Sequence, residues 1–92
     1  MREIIFFHGE DCPHCARMRP IVDKLEKELG CKIKRLEVWY DEKNAKEMRK
    51  YSDIILSAGE GLAVPAFVDV KNKECLVGEQ EEKDLKKWLK EK

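Results

Sequence analysis

The feature that most constrains this chain is a pair of cysteines, Cys12 and Cys15, placed between a short apolar run and a long amphipathic segment. Residues 3–8 are mostly apolar and end at Gly9, a pattern that predicts a buried strand. Apolar residues then recur at spacings of three and four, which predicts a helix over Pro13–Leu29. These residues are Met18, Ile21, Val22, Leu25 and Leu29. The sequence therefore places both thiols at the turn between a strand and the N-terminus of a helix.

The two cysteines and the residues between them suit thiol–disulfide chemistry. Backbone N–H groups and the helix dipole favour an anion at a helix N-terminus, so we expect Cys12 to be exposed at the turn and to react as a thiolate. Pro13 suits the first helical turn because it has no N–H to lose. His14 would stabilise the same thiolate when it is protonated or donates a hydrogen bond. Cys15, almost one turn further on, is expected to be more buried. The alternative interpretations are half of a zinc site or a pair of packed thiols.

The middle of the chain continues the alternation of strand and helix patterns. Residues 33–40 predict a second strand. Asn44, followed three residues later by Glu47, predicts a capping box that starts a second helix, which reaches about Ser52. Residues 53–64 are the least regular part of the sequence, and their apolar residues can continue this helix before a glycine-containing connection.

The C-terminal part predicts a hairpin and a final helix. Residues 65–70 and Glu74–Val77 flank a short polar turn and predict two paired strands. Leu85, Trp88 and Leu89 share one face of the C-terminal helix, and Trp88 is expected in the core. The element order is β-α-β-α-β-β-α, which defines an α/β fold. We expect residues 1–92 to form a single domain, because no linker or repeat interrupts the pattern.

Charge and hydropathy exclude several classes of function. The 19 basic and 19 acidic side chains cancel, so no excess of cations is available to neutralise the phosphates of a nucleic acid. The longest apolar stretches, residues 4–7 and 62–68, are far shorter than the ~20 residues of a membrane span. Residues 1–7 lack the features of a secretory signal. We therefore expect a cytoplasmic protein that binds neither nucleic acid nor membrane. We also expect it to be a monomer.

With its C-x-x-C and two prolines, the chain resembles the thioredoxin superfamily over its full length, as a small thioredoxin- or glutaredoxin-like redoxin. Pro20, eight residues after Cys12, matches the proline in the helix behind the cysteine pair. Val64-Pro65 matches the cis-proline dipeptide that lies beside that pair in the superfamily. The resemblance implies a thioredoxin-like fold with a four-stranded mixed sheet in the order 2-1-3-4, flanked by helices. It also implies a substrate-binding role for Val64 and Pro65.

The chain departs from the superfamily at positions that matter for the chemistry. Thioredoxins carry a buried aspartate six residues before the first cysteine, where this chain has Phe6. That route for removing the proton of Cys15 is therefore missing. The chain also lacks the Thr-Val-Pro and Gly-Gly segments with which glutaredoxins hold glutathione, since it has Ala63 before Val64-Pro65 and only Gly78.

The resemblance implies a thiol–disulfide oxidoreductase that acts on protein disulfides. Cys12 attacks the substrate and Cys15 resolves the mixed disulfide, with Pro13, His14 and Pro65 in support. No metal and no cofactor other than the redox-active Cys12–Cys15 disulfide is implied. The implied partners are protein disulfides and a reductase or thiol reductant.

The alternative is a soft-metal carrier that binds copper or zinc through the C-x-x-C thiolates. Small carriers of this kind need neither Pro20 nor Val64-Pro65, and their element order is βαββαβ. Both features favour the redox interpretation.

The other conspicuous residues are expected to have structural roles. His8 is expected to be packed or hydrogen-bonded rather than to shuttle protons. Trp39 and Tyr40 are expected to pack in the core or at the edge of the sheet, although they can contact a substrate. Arg17 and Arg19 are expected to face solvent.

The remaining cysteines, Cys31 and Cys75, are expected to stay thiols. In the order 2-1-3-4 they lie on opposite edge strands, about 14 Å apart at three strand spacings. A disulfide tolerates a Cα separation of only about 7 Å. The single intramolecular disulfide expected is therefore Cys12–Cys15.

Overall fold

The computed structural model of the protein describes residues 3–59 and 63–91. Its strands are β1 (Ile4–His8), β2 (Ile33–Glu37), β3 (Ala66–Asp69) and β4 (Glu74–Val77). Its helices are α1 (Pro13–Leu29), α2 (Glu42–Arg49), α3 (Ser52–Ala58) and α4 (Glu82–Lys90). The irregular connection predicted over residues 53–64 lies partly outside the described residues.

The four strands form one mixed sheet in the order β2-β1-β3-β4, which confirms the predicted order. β1 runs parallel to β2 and antiparallel to β3, and β4 runs antiparallel to β3. At one end of the sheet, Ile4 lies between Ile33 on β2 and Asp69 on β3. The buried Asp69 accepts hydrogen bonds from the backbone and side-chain nitrogens of Asn72 and so closes the β3–β4 turn.

Strand β1 is buried on both faces because it runs through the centre of the sheet. Ile4 and Phe6 pack in a cluster with residues of α1 and α4, where Phe6 stacks on Phe67 with ring centroids 4.7 Å apart. Ile5 and Phe7 pack on the opposite face with residues of α2 and α3. Burying a large apolar side chain contributes about 1.5–3 kcal/mol, so β1 anchors both halves of the core.

Helix α1 spans the residues predicted from its apolar stripe. Cys12 is its N-cap residue, and Pro13 occupies the first turn without wasting a backbone donor. Gly30 ends the helix in the left-handed conformation, with φ 63°, which glycine adopts without a steric penalty. The helix therefore begins shortly after β1, with Cys12 at its N-cap and Cys15 in its first turn.

The segment between β2 and β3 differs from the prediction in three places. Asp41, not Asn44, caps α2, since its side chain accepts the backbone N–H of Asn44 at 3.2 Å. The chain leaves helical geometry at Tyr51, so α2 ends before Ser52 and a separate helix, α3, follows. Strand β2 ends at Glu37 rather than at residue 40, because the chain bends at residues 39 and 40, directly after the Val38 N–H donates to the carbonyl oxygen of His8.

Helix α4 covers the face of the sheet that also contacts α1. Leu85 and Leu89 are buried in this layer, whereas Trp88 is half-buried and packs against the side of the cluster. The expectation that Trp88 is a core residue was therefore wrong. Among the described residues, no helix is both long and apolar enough to cross a bilayer.

Candidate active site

The C-x-x-C pair lies at the junction of β1 and α1, as the sequence predicts. Cys12 has extended geometry, with φ −79° and ψ 117°, and its Sγ accepts the backbone N–H of Cys15 at 3.4 Å. Cys12 is only 5 % exposed and Cys15 is fully buried. The expectation that Cys12 is exposed was wrong, and the segment leading into β3 lies against its sulfur through the carbonyl oxygen of Val64.

Cys15 lies beneath Cys12, against the end of β1. The backbone N–H of Gly9 donates to Cys15 Sγ at 3.4 Å. Burial raises the pKa of the Cys15 thiol to about 11, against the opposing contribution of that N–H. Phe6, in the position of the missing aspartate, is fully buried in the apolar cluster next to α1. Cys15 is therefore held as a protonated thiol at neutral pH.

The segment leading into β3 forms the other wall of the site. The Val64-Pro65 peptide bond is cis, as the resemblance implies. Cys12 Sγ lies 4.0 Å from the carbonyl oxygen of Val64, in a geometry that allows the thiol to donate to it. Pro65 is buried and Val64 is half-buried. The structure thus brings Cys12, Cys15, Val64 and Pro65 together.

His14 points to a cluster that the sequence did not indicate. Its Nδ1 lies 2.8 Å from Glu79 Oε1 and 2.8 Å from Arg17 Nη2, and Arg17 Nε also donates to Glu79. These contacts lower the pKa of the Glu79 carboxyl to about 2, Arg17 contributing more than His14. Within the described part of the chain, His14 is paired with these residues and not with Cys12. Glu79 lies 65 positions from His14 in the chain, so no local pattern predicts the pairing.

Arg19 lies behind the loop that joins β1 to α1. Its Nη2 donates to the carbonyl oxygens of Gly9 at 3.1 Å and Glu10 at 3.3 Å, and lies 3.5 Å from His8 Nδ1. It is half-buried, so the expectation that Arg19 faces solvent was wrong. His8 also contacts Phe6, with ring centroids 5.2 Å apart. Burial and then the charge of Arg19 lower the pKa of His8, as expected for a packed imidazole.

Glu37 ties two loops together at the edge of the site. Its carboxylate accepts backbone N–H groups from Glu10 at 2.8 Å, Trp39 at 3.0 Å and Tyr40 at 2.8 Å. Burial raises the pKa of Glu37, but the backbone donors outweigh burial and lower the net value. The hydrogen bonds of Glu37 therefore connect the loop that carries Cys12 to the loop that follows β2.

Two aromatic side chains of the loop after β2 are exposed beside the site. Trp39 is 50 % exposed and Tyr40 is 70 % exposed, so the expectation of core or edge packing was wrong. The Tyr40 hydroxyl donates to the Asp11 carboxylate. The Trp39 indole lies against Gly9, where an added Cβ would be 2.4 Å from Cδ2 of the ring.

A groove continues from this loop to the proline segment. It has a volume of about 220 Å³ and is lined by Val38, Trp39, Ala45, Met48, Arg49 and Val64. The lining is mostly apolar and adjoins Val64, whose carbonyl faces Cys12. The groove and the surroundings of the Cys12 thiol therefore share Val64.

The two remaining cysteines lie away from this site. All four cysteines are free thiols, and Cys31 and Cys75 are half-buried on opposite faces of the sheet. Burial raises the pKa of Cys75 to about 11. Among residues 3–59 and 63–91, no group of three or more His, Cys, Asp or Glu side chains is arranged to hold a metal ion.

The chain is similar to known proteins in sequence and in fold. It is 32% identical over 89 residues to a thioredoxin from Rickettsia typhi, covering 94% of this chain and 76% of the relative. Among solved structures, it is similar to a glutaredoxin from Archaeoglobus fulgidus, with a TM-score of 0.61 and 22% sequence identity. That similarity covers 97% of this chain and 87% of the glutaredoxin. No protein-family model matches the chain.

Proposed function

The chain belongs to the thioredoxin superfamily and is a thiol–disulfide oxidoreductase, and from that premise we propose that it acts on protein disulfides through Cys12 and Cys15. One observation carries the proposal. Cys12 Sγ lies between the N–H of Cys15 at 3.4 Å and the carbonyl of Val64 at 4.0 Å, where the start of α1 meets the approach to β3. Membership of the superfamily favours this redox role over the soft-metal carrier.

The reaction has two exchange steps. The Cys12 thiolate attacks one sulfur of a substrate disulfide, and a mixed disulfide forms as the other substrate sulfur leaves as a thiolate. The Cys15 thiolate then attacks Cys12 Sγ, and the second substrate thiolate leaves. Two electrons pass from the dithiol to the substrate, and the protein keeps the Cys12–Cys15 disulfide.

The surroundings of Cys12 favour an extended segment of a protein as substrate. Val64 offers its backbone next to the reacting sulfur, where a strand-like segment can pair with it. The groove between Trp39 and Val64 can accept an apolar side chain of that segment. Pro65 is buried next to Val64, and Pro13 and His14 are exposed at the start of α1.

Single-cysteine variants test the proposal against a disulfide-containing protein such as insulin. Cys12→Ser is expected to abolish disulfide reduction because the attacking sulfur is removed. Cys15→Ser is expected to accumulate mixed disulfides, which mass spectrometry of acid-quenched reactions detects. Cys31→Ser is the matched control and should retain activity. Normal turnover by Cys15→Ser without another thiol would contradict the assigned roles.

We also propose that the protein works as a cytoplasmic monomer, reduced by a reductase or a small thiol. The monomer is supported by the surface, since Trp39, Tyr40 and Leu56 are the large apolar side chains exposed among the described residues. Light scattering after size-exclusion chromatography tests the monomer, and cell fractionation tests the location. The rate of disulfide reduction with a disulfide reductase as the electron donor, compared with the rate with glutathione, identifies the reductant.

A further inference from the structure

Resolution of the mixed disulfide poses a chemical problem at Cys15. This thiol must become a thiolate, yet it is fully buried and its pKa is raised to about 11. Phe6 occupies the position where a buried carboxylate would otherwise accept the proton. Some other group must therefore favour the anionic sulfur at the moment of resolution.

Arg19 is placed to do so. It follows Cys15 by four residues on α1, so both side chains leave the same face of the helix. Its Nη2 donates hydrogen bonds to the carbonyl oxygens of Gly9 (3.1 Å) and Glu10 (3.3 Å), which precede the cysteine pair in the chain. A guanidinium stays charged at all relevant pH values and cannot itself take the proton.

Gly9 links the arginine to the sulfur. Its carbonyl accepts from Arg19, and its N–H donates to Cys15 Sγ at 3.4 Å. Donation to a thiolate is stronger than donation to a neutral thiol, because the acceptor is charged. The contact that Arg19 holds in place is therefore strengthened when Cys15 ionises.

We propose that Arg19 is a positioning residue for the resolving step, in which it fixes the Gly9 N–H against Cys15 Sγ and supplies a positive charge that favours the developing thiolate. The proposal rests on the roles assigned to Cys12 and Cys15 in the proposed function. In this step Cys15 loses its proton and its sulfur forms a bond to Cys12 Sγ. The bond from Cys12 Sγ to the substrate sulfur breaks, and the leaving substrate thiolate takes up a proton, so no outside oxidant is needed.

The other charges around the pair do not replace Arg19. A charge on Cys12 disfavours a second thiolate at Cys15, but Cys12 carries no charge once it is in the mixed disulfide. His8 faces Arg19 from β1, while Glu10, Arg35 and Glu37 act on His8 from the loop and from β2. The positive charge of Arg19 is the one that favours the Cys15 thiolate in this set.

The two exchange steps can be timed separately with one equivalent of dithiobis(nitrobenzoate), whose released thiolate is coloured. Attack by Cys12 releases the first coloured thiolate, and attack by Cys15 on the mixed disulfide releases the second. A Cys31→Ser/Cys75→Ala background confines the reaction to the active pair. The variants are Arg19→Gln and Arg19→Lys, with Lys27→Gln as a control that removes one charge from an exposed position of the same helix.

Arg19→Gln is expected to slow the second release about tenfold at pH 7, through the loss of its charge and its charged hydrogen bonds, and to change the first release less than about twofold. The rate of the second release should rise with pH, and this rise should move to higher pH in Arg19→Gln because the pKa of Cys15 increases further. Arg19→Lys should lie between wild type and Arg19→Gln, and Lys27→Gln should match wild type.

Three outcomes would overturn the proposal. They are an unchanged second release in Arg19→Gln, an equal slowing of both releases, and an equal slowing by Lys27→Gln. Failure of the proposed function would look different, because a first release that survives Cys12→Ser would show that Cys12 is not the attacking thiol. If Arg19→Gln does not fold, as judged by circular dichroism, the same criteria apply to Arg19→Lys.

Discussion

Cys12 and Cys15 lie three positions apart but in different surroundings. Cys12 caps α1 and receives an N–H group on its sulfur, whereas Cys15 is fully enclosed beneath it. The two thiols therefore suit different steps. The sulfur of Cys12 accepts a hydrogen bond at the start of a helix, whereas burial keeps Cys15 protonated.

At the residue scale, this difference predicts the order of alkylation in the reduced protein. Iodoacetamide at pH 6–7 is expected to modify Cys12 first, because burial raises the pKa of both Cys15 and Cys75 to about 11. The reagent must be small, since Cys12 is only 5 % exposed. Peptide mapping of partially labelled protein measures the order, and earlier labelling of Cys31 would refute the assignment.

The carboxylate of Glu79 predicts a pH-dependent contribution to stability. Its pKa is about 2 in the folded protein, lowered by Arg17 and His14, against about 4.3 in the unfolded chain. A depressed pKa stabilises the folded state above the unfolded value and loses that effect as the pH falls towards 2. Wild type should therefore be more stable than Glu79→Gln at pH 7.

Urea unfolding at pH 7 and near pH 2 measures this effect. The difference between the two proteins should shrink at the lower pH and in high salt, because the cluster is exposed and screened by ions. Glu91→Gln, an exposed acid at the end of α4, is a suitable control. An equal difference at both pH values would contradict the prediction.

Several residues of the site could not be predicted, for a reason that lies in their partners. Arg19 and Glu37 bind mainly backbone atoms, so no complementary side chain in the sequence indicates them. Glu79 is 65 positions from His14 in the sequence, so the tertiary fold and not local spacing brings them together. Cys12 and Cys15, by contrast, are placed by local spacing between a strand and a helix.

At the scale of elements, the corrected cap of α2 gives a direct test. Asp41→Ala is expected to cost about 1 kcal/mol of stability, because the carboxylate that accepts the N–H of Asn44 is lost. Asn44→Ala should cost less, since Asn44 contributes its backbone to this contact. Denaturant unfolding of both variants measures the loss of stability and so shows whether Asp41 or Asn44 caps α2. A larger loss in Asn44→Ala would support Asn44 as the cap.

The elements that were predicted well are those with strong periodicity and clear ends. Helix α1 has a regular apolar stripe between Pro13 and a glycine stop, and the predicted span Pro13–Leu29 matches. Helix α3 was not predicted as a separate element, because Tyr51 gives it no side-chain cap and its sequence runs on from α2. Asn44 was predicted as the N-cap residue because Glu47 follows it at the spacing of a capping box. Asp41, three residues earlier, is the residue that caps the helix.

At the scale of the whole molecule, the sheet decides which cysteines can pair. Cys31 packs on the face covered by α1 and α4, and Cys75 packs on the face covered by α2 and α3. The two also belong to opposite edges of the sheet, since β2 and β4 are its outer strands. The sheet order followed from the resemblance, whereas the separation by faces emerges only from the packed structure.

The oxidised monomer is therefore expected to contain Cys12–Cys15 as its single intramolecular disulfide. Three strand spacings place the edges about 14 Å apart, twice the roughly 7 Å that a disulfide tolerates between Cα atoms. Alkylation before denaturation, followed by peptide mapping, measures the pairing. An intramolecular Cys31–Cys75 link would contradict the sheet order. The single domain over residues 1–92 stays a prediction, which one cooperative unfolding transition would support.

The contact between Gly9 and Trp39 links two positions that are far apart in the chain. Because an added Cβ at Gly9 would stand 2.4 Å from the indole, Gly9→Ala is expected to cost about 1–3 kcal/mol through overpacking. Trp39→Ala should remove most of that cost, which a double-mutant cycle measures as a coupling energy. Equal costs of Gly9→Ala with and without Trp39 would show that the indole is not the obstacle.

Positions 9 and 39 are thus expected to evolve as a pair. A lineage that gains a side chain at position 9 must first, or at the same time, exchange the tryptophan for a smaller residue. The exposed aromatic beside the groove is then lost as well. The range of side chains that this surface can present is thereby limited by the backbone that contacts the Cys15 thiol, and a mutational path that changes position 9 must change position 39 no later.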